Sequence, residues 1–338
     1  MNYKQVFIET KRLRTACYRA GEGNPKKLLV LHGNISSSVF FMPLVPYLEG
    51  EYDILVPDLR CFGNSQALPV DATRGYRDWS DDIYALCETL GWNRFTLLGW
   101  SMGGGIAMQF AVDHGPMVDK LVLVAPVSPY GFGGTRDEKG TAYEPEGLGS
   151  GGGSANPALV MSGKMWDKSY FWNMMRKYLF KPPFQLSKEW EKLFIEAASR
   201  MRLGADYYPG DYQLSWKWPY VVSGEHGVLN TMSPKYANMS AFLDIDPKPP
   251  VLWIRGDDDR IVSDTSMMEL GYLGKLALVP GWPGEKTYPP QPMIRQTRYF
   301  LDQYRERGGQ YAELVIPGGH VCILESPLHF ISALKTFM

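Results

Sequence analysis

The sequence predicts an α/β protein in which a mostly parallel β-sheet is covered by helices on both faces and is interrupted by an inserted, mainly helical cap. Short, continuous apolar runs such as 28–31 and 121–125 alternate with helix-like segments through the first third of the chain. Such strands are typical of a parallel sheet that is buried on both faces. The alternation stops near Tyr130 and returns at 249–256 and 312–320, which indicates that the residues between belong to an insertion.

The individual elements follow from apolar periodicity and from stop signals such as Gly115-Pro116. Strands are predicted at Gln5–Glu9, Leu13–Arg19, Lys27–Leu31, Asp53–Pro57, Phe95–Gly99 and Lys120–Ala125, and then at 249–256 and 312–320. Helices are predicted at Phe41–Leu48, Tyr76–Leu90, Gly103–Ala111, Trp166–Phe180, Glu189–Arg202 and Pro327–Phe337. We therefore divide the chain into a first core part (1–129), a cap (130–248) and a second core part (249–338).

The composition excludes several classes of protein. The chain has 338 residues, of which 45% are hydrophobic and 21% charged, and its formal net charge is -1. This balance supplies a large core and no charge excess of the kind that attracts nucleic acid or an anionic membrane surface. No run approaches the roughly 18 to 20 apolar residues of a membrane span, and the N-terminus lacks the pattern of a secretory signal. We expect a cytoplasmic protein with a small-molecule substrate and no nucleic-acid partner, and homodimerisation is left open.

The four cysteines give no sign of a disulfide framework or of a metal site. Cys17, Cys61, Cys87 and Cys322 are spread singly along the chain, without a C-x-x-C pair and without a histidine at metal-binding spacing. We therefore expect neither a metal ion nor a cofactor.

A serine between a predicted strand and a predicted helix is the first chemical signal. The strand at 95–99 leads into Gly-Trp-Ser-Met-Gly at 99–103, and a helix follows. In this position the pattern G-x-S-x-G forms a sharp turn that exposes the hydroxyl group of the serine, here Ser101. Small residues two before and two after the serine let the strand and the helix approach each other. The pattern alone is a weak signal, and its place in the fold strengthens it.

The end of an earlier strand supplies a second part. Leu31-His32-Gly33-Asn34 follows an apolar run, and a backbone N–H just after such a His-Gly pair faces the nucleophile. We expect the N–H groups of Asn34 and Met102 to form an oxyanion hole together. The side chain of His32 is interpreted as a buried brace of this loop rather than as a reactive group.

Two late strands end in acidic and histidine residues. Gly-Asp-Asp-Asp-Arg-Ile-Val occupies 256–262 after one strand, and Gly-Gly-His occupies 318–320 after the last strand. Among the five histidines, only His320 follows a pair of glycines at the end of a strand. The chain order of serine, aspartate and histidine is the order of the α/β-hydrolase triad.

With these motifs the chain resembles the serine hydrolases of the α/β-hydrolase superfamily over nearly its whole length, with the cap in the usual place. The resemblance implies that Ser101 is the nucleophile and His320 the general base, and that an acid after the seventh core strand orients His320. It selects Asp259, because the family pattern G-x-x-D-x-x-V aligns with residues 256–262. Asp257 and Asp258 are then interpreted as loop-capping or solvated carboxylates.

A further turn resembles the family pattern D-x-R-G-x-G-x-S with one departure. The sequence Asp-Leu-Arg-Cys-Phe-Gly-Asn-Ser at 58–65 has Cys61 where the family often has glycine. Either the turn tolerates a side chain there or its backbone differs. We interpret Cys61 as a buried, inert thiol.

The implied triad and oxyanion hole fit the transfer of an acyl group to water. The expected activity is that of a serine hydrolase cleaving a small hydrophobic carboxylic ester or lactone through an acyl-enzyme. Two alternatives stay open: a C–C bond hydrolase, amidase or peptidase using the same triad, and a non-catalytic ligand-binding protein that has kept the turn. Serine at the turn disfavours the dehalogenase and epoxide hydrolase branches, which use aspartate there.

Aromatic residues make up 13% of the chain, and half of the ten tryptophans lie in the cap. Most of these side chains are expected to build the cap's own core, and the others to line an apolar pocket above Ser101. As substrate-binding residues we predict Trp100, Trp166, Tyr170 and Trp172.

Two segments are expected to be irregular. The Gly/Ser tract at 147–154 is predicted to be a flexible loop, either without a role or as a gate at the cap. Residues 260–309 contain stiff turn sequences and are interpreted as an elaborated surface loop, with a second wall of the pocket as the alternative.

Overall fold

The computed structural model describes residues 4–165 and 167–338. The described strands are β1 Gln5–Glu9, β2 Arg14–Ala20, β3 Lys26–Leu31, β4 Tyr52–Pro57, β5 Phe95–Trp100, β6 Val118–Val124, β7 Leu203–Gly204, β8 Tyr208–Pro209, β9 Tyr212–Leu214, β10 Val221–Ser223, β11 Val251–Gly256 and β12 Tyr311–Ile316. The α-helices are α1 Arg77–Leu90, α2 Met102–His114, α3 Pro157–Lys164, α4 Lys168–Leu179, α5 Lys188–Ala198, α6 Val228–Thr231, α7 Leu270–Lys275, α8 Met293–Glu306, α9 Cys322–Glu325 and α10 Pro327–Phe337. Within these ranges, no helix has both the length and the hydropathy of a membrane span.

Eight strands form one sheet, in the order β1-β2-β4-β3-β5-β6-β11-β12. The pairs β1–β2 and β2–β4 are antiparallel, and every other neighbouring pair is parallel. The predicted mostly parallel sheet is therefore confirmed. Because β3, β5, β11 and β12 run in the same direction, the four motifs that follow them meet at one edge of the sheet.

The centre of the sheet is buried because its strands are continuously apolar. Every residue of β4 and β5 is buried, and α2 packs against both β5 and β6. Glycines at the start of α2 allow this close packing: a Cβ on Gly104 would lie 2.6 Å from the Cβ of Pro126. The turn that carries Ser101 is thus held between β5 and α2.

The predicted helix at Phe41–Leu48 is instead a 3-10 helix over Ser38–Tyr47. Pro43 and Pro46 lie inside it, and proline lacks the N–H that an α-helix needs in its interior. The side chain of Ser37 caps its start by accepting a hydrogen bond from the N–H of Val39.

The described part of 130–248, which leaves out residue 166, contributes no strand to the eight-stranded sheet. Its strands pair only among themselves, as β9 with β10 and β7 with β8, and α3 to α6 lie between β6 and β11. The sheet then resumes where Val251 pairs with Leu121 in parallel register. The division of the chain at 129/130 and 248/249 stays a prediction.

The Gly/Ser tract is not a flexible surface loop, which corrects the expectation from composition. Gly147, Gly149 and Gly151 have φ angles of 75°, 73° and 74°, a region that glycine adopts without strain. The tract is packed: Ser150 is fully buried, and its hydroxyl group hydrogen-bonds the hydroxyl group of Ser233 at 2.8 Å. Glycine is used here for an unusual backbone path and close contact rather than for flexibility.

Residues 260–309 contain a regular element that the sequence interpretation missed. The 14-residue helix α8 buries Met293, Thr297, Phe300, Leu301 and Tyr304. This spacing of three and four residues is the signature of an amphipathic helix, although the proline-rich sequence just before it predicts turns. The segment therefore combines irregular turns with the helices α7 and α8.

Candidate active site

Ser101 connects β5 to α2 in a strained backbone conformation. Its φ is 57° and its ψ is -121°, a combination that costs a non-glycine residue roughly 1–3 kcal/mol and persists only when neighbours enforce it. The N–H of Ser101 donates to the carbonyl of Val124 at 2.9 Å. Its own carbonyl accepts hydrogen bonds from the N–H groups of Gly104 at 2.9 Å and Val127 at 3.1 Å. Backbone groups on both sides thus hold the turn.

Three glycines around this turn have no room for a side chain. A Cβ on Gly99 would collide with the carbonyl of Gly103, and a Cβ on Gly103 would collide with the carbonyl of Leu31. A Cβ on Gly33 would lie 2.8 Å from the Cβ of Ser101. The small residues of the motif are therefore required by the packing of strand, helix and loop.

Asn34 and Met102 are the predicted oxyanion donors. Met102 is the first residue of α2, and Asn34 lines the same cavity as Ser101. Within residues 4–165 and 167–338, neither backbone N–H donates a hydrogen bond to a carbonyl group. The Oδ1 atom of Asn34 is also buried without a hydrogen-bond partner among the described residues. Both N–H groups are thus available to an acceptor on a ligand.

His320 and Asp259 form a buried pair. The Nδ1 atom of His320 lies 2.8 Å from Oδ2 of Asp259. The other carboxylate oxygen accepts hydrogen bonds from the N–H groups of Ile261 at 2.8 Å and Val262 at 2.9 Å. A proton on Nδ1 donated to this carboxylate leaves Nε2 of His320 free to accept a proton.

The two neighbouring aspartates have other partners. Asp257 accepts a hydrogen bond from the N–H of Gly318 at 2.9 Å and pairs with the ammonium of Lys181 at 2.7 Å. That ammonium holds the pKa of Asp257 below its usual value. Asp258 lies 3.2 Å from the guanidinium of Arg260. Of the three, the structure brings Asp259 to the imidazole.

Trp100 contacts His320 through a hydrogen bond and through its ring. Its indole Nε1 donates a hydrogen bond to the carbonyl of His320 at 2.9 Å, and the two rings lie 5.4 Å apart. On its other side, the indole stacks on Phe40 at 5.7 Å. Trp100 also lines the cavity, so it both contacts that space and fixes the histidine loop.

His32 is a structural brace. Its Nδ1 donates to the carbonyl of Gly33 at 2.8 Å, and its Nε2 accepts from the N–H of Leu59 at 2.9 Å. Burial lowers the pKa of His32 to about 4, so the imidazole is neutral and both ring nitrogens are used. It ties the loop carrying Asn34 to the turn at 58–65.

The turn at 58–65 keeps a glycine-like backbone although it carries Cys61. The φ of Cys61 is 74°, and its thiol donates to the carbonyl of Leu68 at 3.1 Å. Burial raises the pKa of this thiol to about 12, which makes it a poor nucleophile. The departure from the family pattern therefore costs backbone strain and adds no reactive group.

One cavity brings the site residues together. Ser101, His320, Asn34 and Trp100 line it, and it encloses about 900 Å³ of empty space including its open mouth. The remaining lining residues are mostly apolar: Ile35, Val127, Phe132, Gly151, Ser154, Ala155, Asn156, Leu159, Met175, Leu179, Tyr208, Leu229, Met232, Ile261, Val262 and Met268. No Asp, Glu, Lys or Arg side chain is among them.

Of the residues in 130–248 that were predicted to bind substrate, Tyr170 and Trp172 are not among those that line this cavity. Tyr170 is 44% exposed on α4. Trp172 is buried against Phe180, with ring centroids 6.4 Å apart. Trp166 lies outside the described residues. From residues 130–248 the lining includes two other aromatic side chains, Phe132 and Tyr208, together with aliphatic and methionine side chains and part of the Gly/Ser tract. Ile261, Val262 and Met268 after β11 complete it, which gives residues 260–309 a part in the wall.

Comparison with known proteins finds partial sequence matches. Residues 26–150 match the family model of the alpha/beta hydrolase fold. A serine hydrolase-like protein of Danio rerio is 31% identical over 112 residues, 33% of each chain. A fluoroacetate dehalogenase of a Burkholderia species is 32% identical over 131 residues, 38% of this chain and 42% of the relative. The matched stretches thus span less than half of these relatives.

A solved structure is similar over the full length. A serine hydrolase from the polyaromatic hydrocarbon-degrading bacterium Cycloclasticus zankles superposes with a TM-score of 0.60, covering 99% of this chain and 98% of that one at 16% identity. This likeness shows a common fold. The match of residues 26–150, together with this sheet and this full-length structural likeness, shows that the chain has the α/β-hydrolase fold.

Proposed function

We propose that the protein is a serine hydrolase that cleaves a small, uncharged, hydrophobic carboxylic ester or lactone through an acyl-enzyme on Ser101. The observation that carries the proposal is the meeting of a serine at a strained turn with a buried His320–Asp259 pair at one apolar cavity. Nucleophile, base and orienting acid are the parts that acyl transfer needs.

The mechanism follows from these positions. Oγ of Ser101 attacks the carbonyl carbon of the substrate while Nε2 of His320 accepts the hydroxyl proton, and Asp259 stabilises the imidazolium. The negative charge that develops on the carbonyl oxygen is bound by the N–H groups of Asn34 and Met102, each worth on the order of 3 kcal/mol in the transition state.

Collapse of this intermediate breaks the ester C–O bond, and the imidazolium gives its proton to the departing alkoxide. Water then attacks the acyl-enzyme with His320 again as the base. The carboxylic acid is released, and Ser101 recovers its proton.

The lining of the cavity supports an uncharged substrate. Apart from His320, the described residues that line it include no Asp, Glu, Lys or Arg, and most of these residues are aliphatic, aromatic or thioether. Moving an unpaired charge into such a space is costly. Esters whose acyl and alcohol groups are both neutral should therefore react fastest, and a carboxylate on the acyl chain should reduce kcat/KM.

Labelling with a fluorophosphonate probe tests the nucleophile. The folded wild-type protein should become labelled on Ser101, and Ser101→Ala should not be labelled. Ser154→Ala is a matched control, because Ser154 lines the same cavity but its hydroxyl group donates to the carbonyl of Gly151 at 2.7 Å. Absence of labelling in folded wild-type protein would favour a non-catalytic binding protein.

A substrate panel tests the type of bond. Neutral p-nitrophenyl esters and lactones should be hydrolysed faster than anilides, β-diketones and esters with an acidic acyl chain. Turnover of anilides without esters would indicate an amidase or peptidase. Turnover of β-diketones alone would indicate a C–C bond hydrolase.

A further inference from the structure

Glu325 joins two segments that border the candidate site. It is the last residue of α9, and its Oε1 accepts a hydrogen bond from the N–H of Gly319 at 2.7 Å. Its Oε2 accepts from the N–H of Lys181 at 2.8 Å. Gly319 precedes His320, and Lys181 follows α4 of the cap. One carboxylate therefore bridges the loop that carries the imidazole and a segment that belongs to the cap.

These two segments are in tight contact. A Cβ on Gly319 would lie 2.7 Å from the carbonyl oxygen of Leu179 and 2.9 Å from the N of Lys181. The N–H of Val321 also donates to the carbonyl of Leu179 at 3.2 Å. Leu179 itself lines the cavity. A shift of the cap segment would therefore change both the cavity wall and the surroundings of His320.

Resting on the function proposed above, we propose that Glu325 is a positioning residue whose ionised carboxylate latches residues 179–181 of the cap onto the loop of His320. Oxygen atoms of an ionised carboxylate accept both N–H groups at once. A protonated carboxyl group has one good acceptor, and its O–H faces an N–H donor, so one of the two hydrogen bonds is lost. The latch therefore loosens when Glu325 takes up a proton.

The surroundings of Glu325 bring the pKa at which it takes up a proton close to neutral pH. Burial raises the pKa of Glu325 to about 7, the two N–H groups oppose that rise, and the charges of Asp257 and Asp259 add to it. The ammonium of Lys181 is bound to Asp257. On the same helix, the thiol of Cys322 stays neutral, because burial keeps its pKa well above the usual value. The latch should be about half formed near pH 7, nearly complete at pH 8 and above, and progressively lost below pH 7.

Asp257 provides a matched control. It holds the same two segments through the N–H of Gly318 and the ammonium of Lys181. Its pKa is lowered by that ammonium, so it stays ionised through the neutral range. In the wild-type protein the contact should weaken in one step near pH 7, where Glu325 takes up its proton. Asp257→Asn should weaken the contact at every pH but leave this step in place, whereas Glu325→Gln should remove the step.

Hydrogen exchange tests the latch without relying on activity. In the wild-type protein, protection of the amides of Gly319 and Lys181, corrected for intrinsic exchange, should fall as pH is lowered from 8.5 to 6. In Glu325→Gln, one of the two amides should be poorly protected at every pH. Asp257→Asn should keep the wild-type step. A wild-type protein without the step, or a Gln variant that retains it, would overturn the proposal.

Kinetics give the functional readout on a neutral p-nitrophenyl ester. At pH 8, Glu325→Gln should lower kcat/KM about tenfold, as expected for loss of one charge-assisted hydrogen bond, chiefly by raising KM. Its KM should then vary little between pH 6 and 8, whereas that of the wild-type protein rises below pH 7. An unchanged KM profile would contradict the latch.

The two proposals fail separately. If no substrate is hydrolysed but the exchange step is present, the latch stands and the esterase proposal fails. If esters are hydrolysed and the exchange step is absent, the esterase proposal stands and the latch fails. Thermal unfolding of both variants verifies that they are folded.

Discussion

Hydrogen bonds with backbone groups fix the candidate catalytic residues of this site in place. The conformation of Ser101 depends on the carbonyl of Val124, and the orientation of Asp259 depends on the N–H groups of Ile261 and Val262. His320 is fixed at its own carbonyl by Trp100. Single side-chain changes should therefore alter the chemistry without rearranging the turn, which makes residue-level tests informative.

The choice of acid is the first residue-level prediction. Asp259→Asn should lower kcat for ester hydrolysis by about 10³- to 10⁴-fold, because an amide no longer holds His320 in the required tautomer or stabilises the imidazolium. Asp258→Asn is the control, since Asp258 contacts Arg260 rather than the imidazole, and it should change kcat less than twofold. Equal losses in the two variants would contradict the assignment of Asp259.

The second residue-level prediction concerns the backbone strain at Cys61. Both Cys61→Ala and Cys61→Gly remove the thiol and its hydrogen bond to Leu68, but only glycine relieves the φ of 74°. The glycine variant should therefore be more stable than the alanine variant by about 1 kcal/mol in urea unfolding, against the usual preference for alanine. A more stable alanine variant would mean that the turn has relaxed to another backbone conformation.

At the scale of elements, the Gly/Ser tract is the most informative part of the cap. Gly151, Ser154 and Ala155 line the cavity, and Gly152 donates its N–H to Oδ1 of Asn230 at 2.9 Å. The tract is therefore a shaped wall, and its rigidity should matter for both stability and substrate fit.

Gly149→Ala tests this interpretation. Gly149 has a φ of 73°, and a Cβ there would collide with the hydroxyl group of Tyr288. Gly23→Ala is the control, because Gly23 has a φ of 92° with nothing within 4 Å. Both variants incur backbone strain of about 1–2 kcal/mol, and Gly149→Ala should lose at least about 1 kcal/mol more because of the collision. Equal losses in the free energy of unfolding would show that the tract yields easily.

The elements that could be predicted are those whose signal is local. The strands of the sheet and α1, α2 and α10 follow from uninterrupted apolar runs or helical spacing, and their bounds are close to those observed. The packed tract at 147–154 and the helix α8 were not predicted, because their local signals point the other way. Glycine content suggests a flexible loop, and the prolines before α8 suggest turns. Their packing partners, Ser233 for the tract and Phe242 for α8, are distant in sequence.

In the candidate site too, the residues in local motifs could be predicted, and those placed by distant packing could not. Ser101, Asp259 and His320 stand in short motifs at strand ends, so their meeting at one edge of the sheet could be expected from the parallel order of strands. The residues that line the cavity could not be predicted, because they depend on which face α4 turns toward the cavity. That helix buries Trp172, Met175 and Leu179, but only the latter two reach the cavity.

For the whole molecule, His32 makes stability depend on pH. Its folded-state pKa of about 4 lies below the unfolded value of 6.5, so the unfolded chain binds a proton between these values that the folded protein does not. Stability should therefore fall as pH falls from 6.5 to 4, with His32 contributing up to about 3 kcal/mol.

His32→Gln tests this contribution. The variant is less stable at neutral pH, but its free energy of unfolding should decline less between pH 6.5 and 4 than that of the wild-type protein. His329→Gln, at an exposed histidine, should leave the decline unchanged. Parallel pH curves for wild type and His32→Gln would show that other groups account for the loss.

The parallel pairing of Leu121 with Val251 has a consequence for how freely this protein can change. The residues between these two strands form a closed loop, and the entropy of closing a loop grows only logarithmically, by about 0.6 kcal/mol for each doubling of its length. Extra residues in an exposed turn of this loop would therefore cost little closure entropy, as long as packed segments such as 147–154 and 179–181 keep their contacts. Such an architecture lets the length of exposed turns vary while the strands that lead to Ser101, Asp259 and His320 stay the same.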